Sequence, residues 1–179
     1  MEPQKMNVDL ELADLFLHNK QEHQKVESPW CIKIRDINQK TIILVNNRLV
    51  ATPKNSILPE HIMTLLPNPI LDSKKRPVFM GLNNRSHILS CVKSGEDLPR
   101  LKLVRGDIMD LYKKNEESME FTFYIQAKGS EITCCFESAA YPGWFLSTSP
   151  ESNRPLGLSQ RGGSDIILFY FERKMGSSE

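Results

Sequence analysis

The 179-residue chain lacks any apolar run long enough to span a membrane. Its first residues, MEPQKMNVD, lack the uninterrupted apolar core of a secretory signal peptide, so we expect synthesis in the cytosol. The chain also lacks an excess of charge of either sign, since 23 Lys and Arg oppose 22 Asp and Glu. A formal net charge of +1 argues against nucleic acid as the main partner, and we expect no membrane insertion.

The four cysteines and four histidines lack the spacing of a metal or catalytic site. Cys31, Cys91, Cys134 and Cys135 form no CxxC pair, and three of them lie in apolar, strand-like runs typical of buried reduced thiols. The histidines are scattered, and neither a nucleophile elbow nor a P-loop is present. We therefore expect a protein that is not an enzyme and holds no metal or cofactor.

The first 29 residues differ from the rest of the chain. They carry three lysines against six acidic residues, a net charge of −3, whereas the remainder carries +4. Over about residues 6–20 the apolar residues recur on one helical face: Val8, Leu12, Leu15 and Phe16. This segment is either a marginal, frayed helix with no core of its own or a propeptide, and residues 21–29 are typical of a linker.

From Trp30 onward the apolar period changes to two, which predicts short β-strands. We count about twelve in three groups of four, with turn signals such as Asn46-Asn47 between most of them. The predicted strands are 31–36, 41–45, 48–52 and 61–66; 77–83, 87–92, 100–104 and 121–125; then 131–138, 144–148, 156–160 and 166–171. One helical turn is predicted at 107–112, with Ile108, Leu111 and Tyr112 packed inward. The pattern alone does not distinguish a trefoil from a sandwich.

The most distinctive segment is 136–148, FESAAYPGWFLST. It predicts a strand, a tight corner at Pro142-Gly143 and a second apolar strand. The segment resembles the signature of the interleukin-1 cytokine family at Phe136, Ser138, Ala139, Pro142, Phe145, Leu146, Ser147 and Thr148. Aromatic residues beside such a corner usually fill a barrel or its cap, so we interpret these residues mainly as structural.

Further segments in family order extend the resemblance over residues 30–174: they are 34–41, 46–51, 91–95, 107–112 and 169–171. Within the family, the resemblance is greatest to the interleukin-36 ligands and the receptor antagonists. It implies an all-β fold, a β-trefoil at 30–174, in which closure of the barrel removes sheet edges. A flexible or partly helical extension or propeptide at 1–29 would precede this domain, and a tail at 175–179 would follow it.

The resemblance implies a monomeric cytokine that is secreted by an unconventional route. It would bind the ectodomain of an interleukin-1 or interleukin-36 type receptor and recruit an accessory receptor chain to trigger inflammatory signalling. A receptor antagonist, which occupies the receptor without recruiting that chain, is the alternative. A trefoil lectin is a second alternative, but it would repeat an aromatic sugar-binding set in each third of the chain, and only the last group has a tryptophan between strands, Trp144.

The loops supply the candidate receptor contacts. Lys74, Lys75 and Arg76 lie in the polar loop 67–76, where they would meet an acidic receptor patch. In the family, the loop matching 160–165 influences recruitment of the accessory chain. That loop contributes Arg161 and Asp165, and the end of the first strand contributes Arg35 and Asn38. Asn84-Arg85-Ser86 is a formal glycosylation sequon, which a chain without a signal peptide would seldom present to the modifying enzyme.

A processing motif is also present. Ile34-Arg35-Asp36 matches the aliphatic-x-Asp motif of interleukin-36 ligands, whose activity depends on trimming the chain a short fixed distance upstream. Carried over, the new N-terminus falls near Lys25-Val26, inside the predicted linker. We expect the uncleaved extension to lie near the first strand and obstruct a receptor surface.

Overall fold

The computed structural model describes residues 7–21, 29–54, 59–95 and 97–174, with the side chains of 18–21 left aside. The predicted cleavage position at Lys25-Val26 and the predicted tail at 175–179 lie outside the described residues. The helices are α1 (Val8–Gln21) and α2 (Ile108–Lys114). The strands are β1 (Trp30–Asp36), β2 (Lys40–Val45), β3 (Arg48–Pro53), β4 (Met63–Pro67), β5 (Pro77–Leu82), β6 (His87–Lys93), β7 (Pro99–Arg105), β8 (Thr122–Ala127), β9 (Thr133–Ser138), β10 (Phe145–Ser147), β11 (Arg154–Pro155), β12 (Gly157–Ser159) and β13 (Phe169–Lys174).

Six strands close into a barrel because each pairs antiparallel with both of its neighbours. The ring runs from β1 to β4, β5, β8, β9 and β13, and β13 returns to β1. Along β1, the buried Ile32 and Ile34 alternate with half-buried residues, so the inward side chains fill the barrel. The closed ring leaves no free edge among these six strands, and its interior forms the main hydrophobic core.

Three hairpins cover one end of this barrel. β2–β3 follows β1, β6–β7 follows β5, and β10–β12 follows β9. One unit of barrel strand, hairpin and barrel strand is thus repeated three times. The chain is a β-trefoil, which confirms the predicted fold.

Two strand predictions are corrected in the last repeat. The strand predicted over 166–171 begins at Phe169, and Ile166 forms only a single bridge with Thr148. The apolar run is divided because its residues have different partners. Ile166 pairs with Thr148, just after β10, whereas the Leu168 carbonyl accepts a hydrogen bond from the Ile37 amide, just after β1. The two-residue β11 adds along β3, so the described ranges hold thirteen strands where about twelve were predicted. Its residues are both exposed, so no apolar pattern marks it.

Helix α1 covers the end of the barrel opposite the hairpins. Strand register places the start of β1, the end of β13, the β4–β5 loop and the β8–β9 turn at this end. The Val8 amide donates to the Glu131 carbonyl at 2.8 Å. The Asp14 carboxylate lies 3.3 Å from the Arg173 guanidinium. The helix is therefore attached to the last strand and to the β8–β9 turn.

The predicted apolar face of α1 belongs to the main core of the protein. Val8, Leu12, Leu15 and Phe16 are all buried there. The interpretation as a marginal helix is wrong for this part of the chain, because the open end of the barrel supplies the apolar surface that an isolated helix lacks. Among the described helices, none is long and apolar enough to cross a membrane.

The helical turn predicted at 107–112 is confirmed as α2. Ile108 and Leu111 are buried in a second apolar cluster, and Tyr112 packs against it. The Asp107 carboxylate caps the helix by accepting a hydrogen bond from the Met109 amide at 2.9 Å.

Gly81 of β5 has no room for a side chain. A Cβ placed there would lie 2.9 Å from the His87 carbonyl oxygen and 2.9 Å from Cγ2 of Ile108. We expect Gly81→Ala to lower the free energy of unfolding by about 1–3 kcal/mol, measured by denaturant titration. Gly95→Ala is the matched control, because its Cβ would meet nothing within 4 Å, and it should stay within about 0.5 kcal/mol of the parent. Equal losses in the two variants would contradict the packing argument.

Candidate functional site

One outer face of the barrel carries several of the predicted contact residues. Arg35 of β1 lies opposite Tyr170 of β13, and Tyr170 lies opposite Thr133 of β9. Farther along β9, Glu137 lies opposite Tyr124 of β8. Opposed residues share a face, and residues four apart on one strand share it too. These side chains therefore lie together on the outside of the barrel.

Two cations lie against two tyrosine rings on this face. The Arg35 guanidinium carbon is 5.8 Å from the centroid of the Tyr170 ring, and Nζ of Lys75 is 5.7 Å from that of Tyr124. Burial, followed by the charge of Glu137, raises the pKa of Tyr124, so its phenol stays protonated at neutral pH. Each tyrosine thus offers an apolar ring beside a positive charge, and tyrosine and arginine are the residue types enriched at interface hot spots.

Arg161 borders the same face beside β10. Its guanidinium carbon is 4.8 Å from the centroid of the Phe145 ring, and Phe145 lies opposite Glu137. The Glu137 carboxylate accepts a hydrogen bond from the Gly143 amide at 2.7 Å. Together with Gln160 these residues line an open depression of about 520 Å³. We call the combined surface the tyrosine face, and its members are Arg35, Lys75, Tyr124, Glu137, Arg161 and Tyr170.

Three other predicted contacts lie away from the centre of this face. Asp165 is exposed, and its carboxylate accepts a hydrogen bond from the Ser159 hydroxyl at 2.6 Å. Asn38 is exposed in the turn between β1 and β2, at the hairpin end of the barrel. Lys74 is exposed in a short 3-10 turn, where its amide donates to the Asp72 carboxylate.

Arg76 is half-buried and lies against α1. Its guanidinium carbon lies 5.8 Å from the centroid of the Phe16 ring. Nη1 of Arg76 is buried and has no hydrogen-bond partner among the described residues. A buried donor without an acceptor costs free energy, so the buried position of Nη1 is unfavourable. The docked helix thus contacts one predicted contact residue of the β4–β5 loop and leaves it partly exposed.

Asp36, the acidic residue of the Ile34-Arg35-Asp36 motif, is fully buried. Its Oδ1 accepts hydrogen bonds from the amides of Asn38 and Lys40, each at 2.9 Å. Its Oδ2 accepts a hydrogen bond from the Thr148 hydroxyl at 2.6 Å and lies 2.8 Å from Nζ of Lys40. This carboxylate therefore joins the turn after β1 to the signature segment after β10.

The signature residues form the base of the third hairpin. The Phe136 ring meets the Phe169 ring edge-on, with centroids 5.7 Å apart. The Ser138 hydroxyl accepts a hydrogen bond from the Tyr141 amide at 3.0 Å and so holds the corner at Pro142-Gly143. Pro142 is exposed at the corner, and the remaining signature residues are all buried: Phe136, Ser138, Ala139, Phe145, Leu146, Ser147 and Thr148.

Sequence reasoning missed Tyr124 and Tyr170 as members of the tyrosine face. Both lie in strands next to buried phenylalanines: Phe123, Phe169 and Phe171. Strict alternation along a strand puts these tyrosines on the outer surface, and that was the available signal. It also missed the contact between α1 and Arg76, for which no local pattern gives a signal.

The four cysteine thiols stay protonated at neutral pH, because burial raises the pKa of each. All four cysteines are free, and Cys91, Cys134 and Cys135 are buried. Burial raises the pKa of Cys91 to about 11, and it raises the pKa of Cys134 as well, so both remain protonated. Within the described ranges, no group of three or more His, Cys, Asp or Glu side chains could hold a metal ion.

Comparison with known proteins adds to this geometry. The family described as Interleukin-1 / 18 matches residues 53–171. The mouse interleukin-36 receptor antagonist protein is 39% identical over 150 residues, covering 80% of this chain and 94% of its own length. Mouse interleukin-36 alpha is 35% identical over 158 residues, covering 86% and 96%. An NMR structure of interleukin-36alpha, described as a pro-inflammatory cytokine, superposes with a TM-score of 0.69 at 31% identity, covering 85% of this chain and 98% of that one.

Proposed function

The chain belongs to the interleukin-1 family of cytokines, and from this premise we propose that it is a receptor agonist activated by N-terminal trimming. Members of this family are secreted cytokines and not enzymes. In this proposal the chain acts as a monomer, leaves the cell by an unconventional route, and binds the ectodomain of an interleukin-1 or interleukin-36 type receptor. It then recruits an accessory chain, which brings two signalling domains together.

The arrangement of α1 is the observation that favours an agonist held inactive. The acidic extension ends in the linker upstream of Ile34-Arg35-Asp36, and α1 lies over the barrel end where β1 begins. The docked helix contacts Arg76, whose Nη1 is buried. Cleavage near Lys25-Val26 removes α1 from the chain and exposes the Arg76 cation to an acidic receptor patch.

A receptor antagonist is the second candidate function. The similarity to the mouse interleukin-36 receptor antagonist protein, at 39% identity, favours it. Agonist and antagonist share the first binding step and differ only in whether the accessory chain is recruited. Arg161 and Asp165, in the loop 160–165, are the residues that we assign to recruitment of the accessory chain.

A reporter assay decides between these functions. Cells that carry both receptor chains are treated with the chain beginning at Lys25, with and without a known interleukin-36 agonist. We expect the trimmed chain to signal alone. Suppression of the known agonist without signalling would establish the antagonist instead. No response and no suppression would contradict both, and a glycan array would then test the lectin alternative.

The tyrosine face is the surface we propose for the first receptor contact. Support comes from the two cation–tyrosine pairs and the open depression beside Arg161. A standard interface of about 800 Å² per partner is large enough to cover such a face. The remaining predicted contacts, Asn38, Lys74 and Asp165, would lie at its rim, and Arg76 would join it after trimming.

Charge reversal at Lys75 tests this surface. We expect Lys75→Glu in the trimmed chain to slow association with the receptor ectodomain by about tenfold at low salt, because steering by complementary charge is lost. The difference should shrink as salt is added. Lys113→Glu on α2 makes the same charge change at an exposed position outside the tyrosine face and should leave the rate nearly unchanged. Similar losses in both variants would mean that net charge, and not this face, controls association.

A further inference from the structure

The three hairpins meet around a depression of about 300 Å³ at the end of the barrel opposite α1. Its lining comes from the β2–β3 hairpin, from β6 and β7, and from the segment joining β11 to β12. The walls are fixed by backbone hydrogen bonds, since the Leu156 amide donates to the Leu49 carbonyl at 2.9 Å. The depression is therefore built by all three repeats of the trefoil and is distinct from the tyrosine face.

Leucine side chains form the apolar part of this lining. Leu49, Leu89 and Leu156 are buried, and Leu101 and Leu103 are half-buried against the same core. Leu101 and Leu103 expose apolar surface here, whereas the other three leucines are nearly covered. A depression of this size is at the lower limit of small-molecule sites, and it matches a short alkyl chain better than a folded partner.

Cations surround the leucines. Arg48, Arg100 and Lys102 line the depression and are exposed. In the described part of the chain, none of these three side chains makes a hydrogen bond or ion pair with another residue. The described lining of the depression includes no Asp or Glu. Three cations with no acidic residue in the described lining, beside leucine side chains, favour a ligand with one negatively charged end and one apolar end.

We propose that this depression, the hairpin-cap site, binds an anionic amphiphile of the medium-chain fatty acid class. The alkyl chain lies on the leucine floor, and the carboxylate is held by Arg48, Arg100 and Lys102. Binding at this site needs neither the receptor nor N-terminal trimming, so it stands independently of the proposed function.

A chain-length series provides the first test. The full chain is titrated with butanoate, hexanoate, octanoate and decanoate below the concentrations at which they form micelles, and binding is followed by calorimetry and by NMR shifts. We expect saturable one-to-one binding with affinity rising by up to about fourfold for each added CH₂ group, and shifts centred on β7 and residues 47–49. If butanoate bound as tightly as decanoate, the site would recognise only the anionic group. If decanol bound as tightly as decanoate, the site would recognise only the alkyl chain. Either result, or the absence of saturation, overturns the proposal.

Paired charge variants provide the second test. Replacing Arg100 and Lys102 together by glutamine should weaken decanoate binding by at least about tenfold. Replacing Lys113 and Lys114 on α2 by glutamine makes the same change in net charge at exposed positions outside the site and should leave the affinity unchanged. All four positions are exposed, so both variants should fold, which circular dichroism checks. Equal affinity in the two paired variants would overturn the assignment of the carboxylate to this rim.

Discussion

Replacing Asp36 by alanine is expected to lower the free energy of unfolding by about 3–5 kcal/mol, a large share of the stability of a domain of this size. The reason is the network around its buried carboxylate. Two backbone amides, the Thr148 hydroxyl and Nζ of Lys40 all direct hydrogens at it. Alanine leaves each of these donors without its acceptor, and the Lys40 ammonium group stays nearly buried, with its side chain 5% exposed.

Chemical denaturation of Asp36→Ala and of the parent chain measures this loss. Asp110→Asn, at an exposed position in the first turn of α2, is the matched control and should cost no more than about 1 kcal/mol. A second variant, Lys40→Met with Asp36→Leu, removes both charges and should recover part of the loss, because a buried ion pair replaced by apolar residues is often neutral. If Asp36→Ala cost as little as the control, the network would not hold β1 to the signature segment.

A chain that begins at Lys25 is expected to activate receptor-bearing cells about 10- to 100-fold more potently than the full chain. The factor follows from the docking of α1. If the docked state is favoured by about 1.4–2.8 kcal/mol, only the undocked fraction presents the whole Arg76 guanidinium, and the apparent affinity falls by that fraction. Four buried apolar side chains of α1 supply this free energy: Val8, Leu12, Leu15 and Phe16.

Point variants of the full chain test whether release of α1 from the barrel, without its removal, is enough to raise potency. Leu12→Asp places a charge on the buried face of the helix and should raise potency without cleavage, because a carboxylate is not tolerated in the core. Leu10→Asp adds the same charge to the same helix at a position that is 70% exposed and should leave potency unchanged. Equal potency of the full and trimmed chains would contradict the autoinhibition.

Release of α1 should also be visible in stability. The trimmed chain and Leu12→Asp both uncover the apolar open end of the barrel, so both should unfold at a lower temperature than the full chain, whereas Leu10→Asp should not. A trimmed chain as stable as the full chain would show that docking of α1 contributes little free energy in solution.

The elements predicted from the sequence are mostly those dominated by one period. β6 and β8, with their alternating or continuous apolar residues, were predicted to within two residues at each end. The two-residue β11 and the division of the run 166–171 were missed, because each depends on a partner strand elsewhere in the chain. Strand pairing is a contact between distant residues, and no local pattern contains it.

For the candidate site too, some features were predicted from the sequence and others depend on contacts between distant residues. Charged residues in polar loops and at the end of the first strand were predicted as contacts from the sequence, because loops lie on the surface and carry function. The neighbours of those residues were not found: Tyr170 beside Arg35, Tyr124 beside Lys75, and Phe16 over Arg76. Each of these pairs joins residues far apart in the chain, so only closure of the barrel places them in contact.

The sequence by itself determined the strand-rich composition, the helical face of α1 and, through the segment 136–148, membership of the interleukin-1 family. These properties depend on side-chain period and on residue identity, which can be read locally. Only the tertiary structure decided that α1 covers the barrel, that Asp36 is a buried link, and that three hairpins enclose a basic depression. Each of these requires segments from different repeats to meet, and the closed barrel is what brings them together.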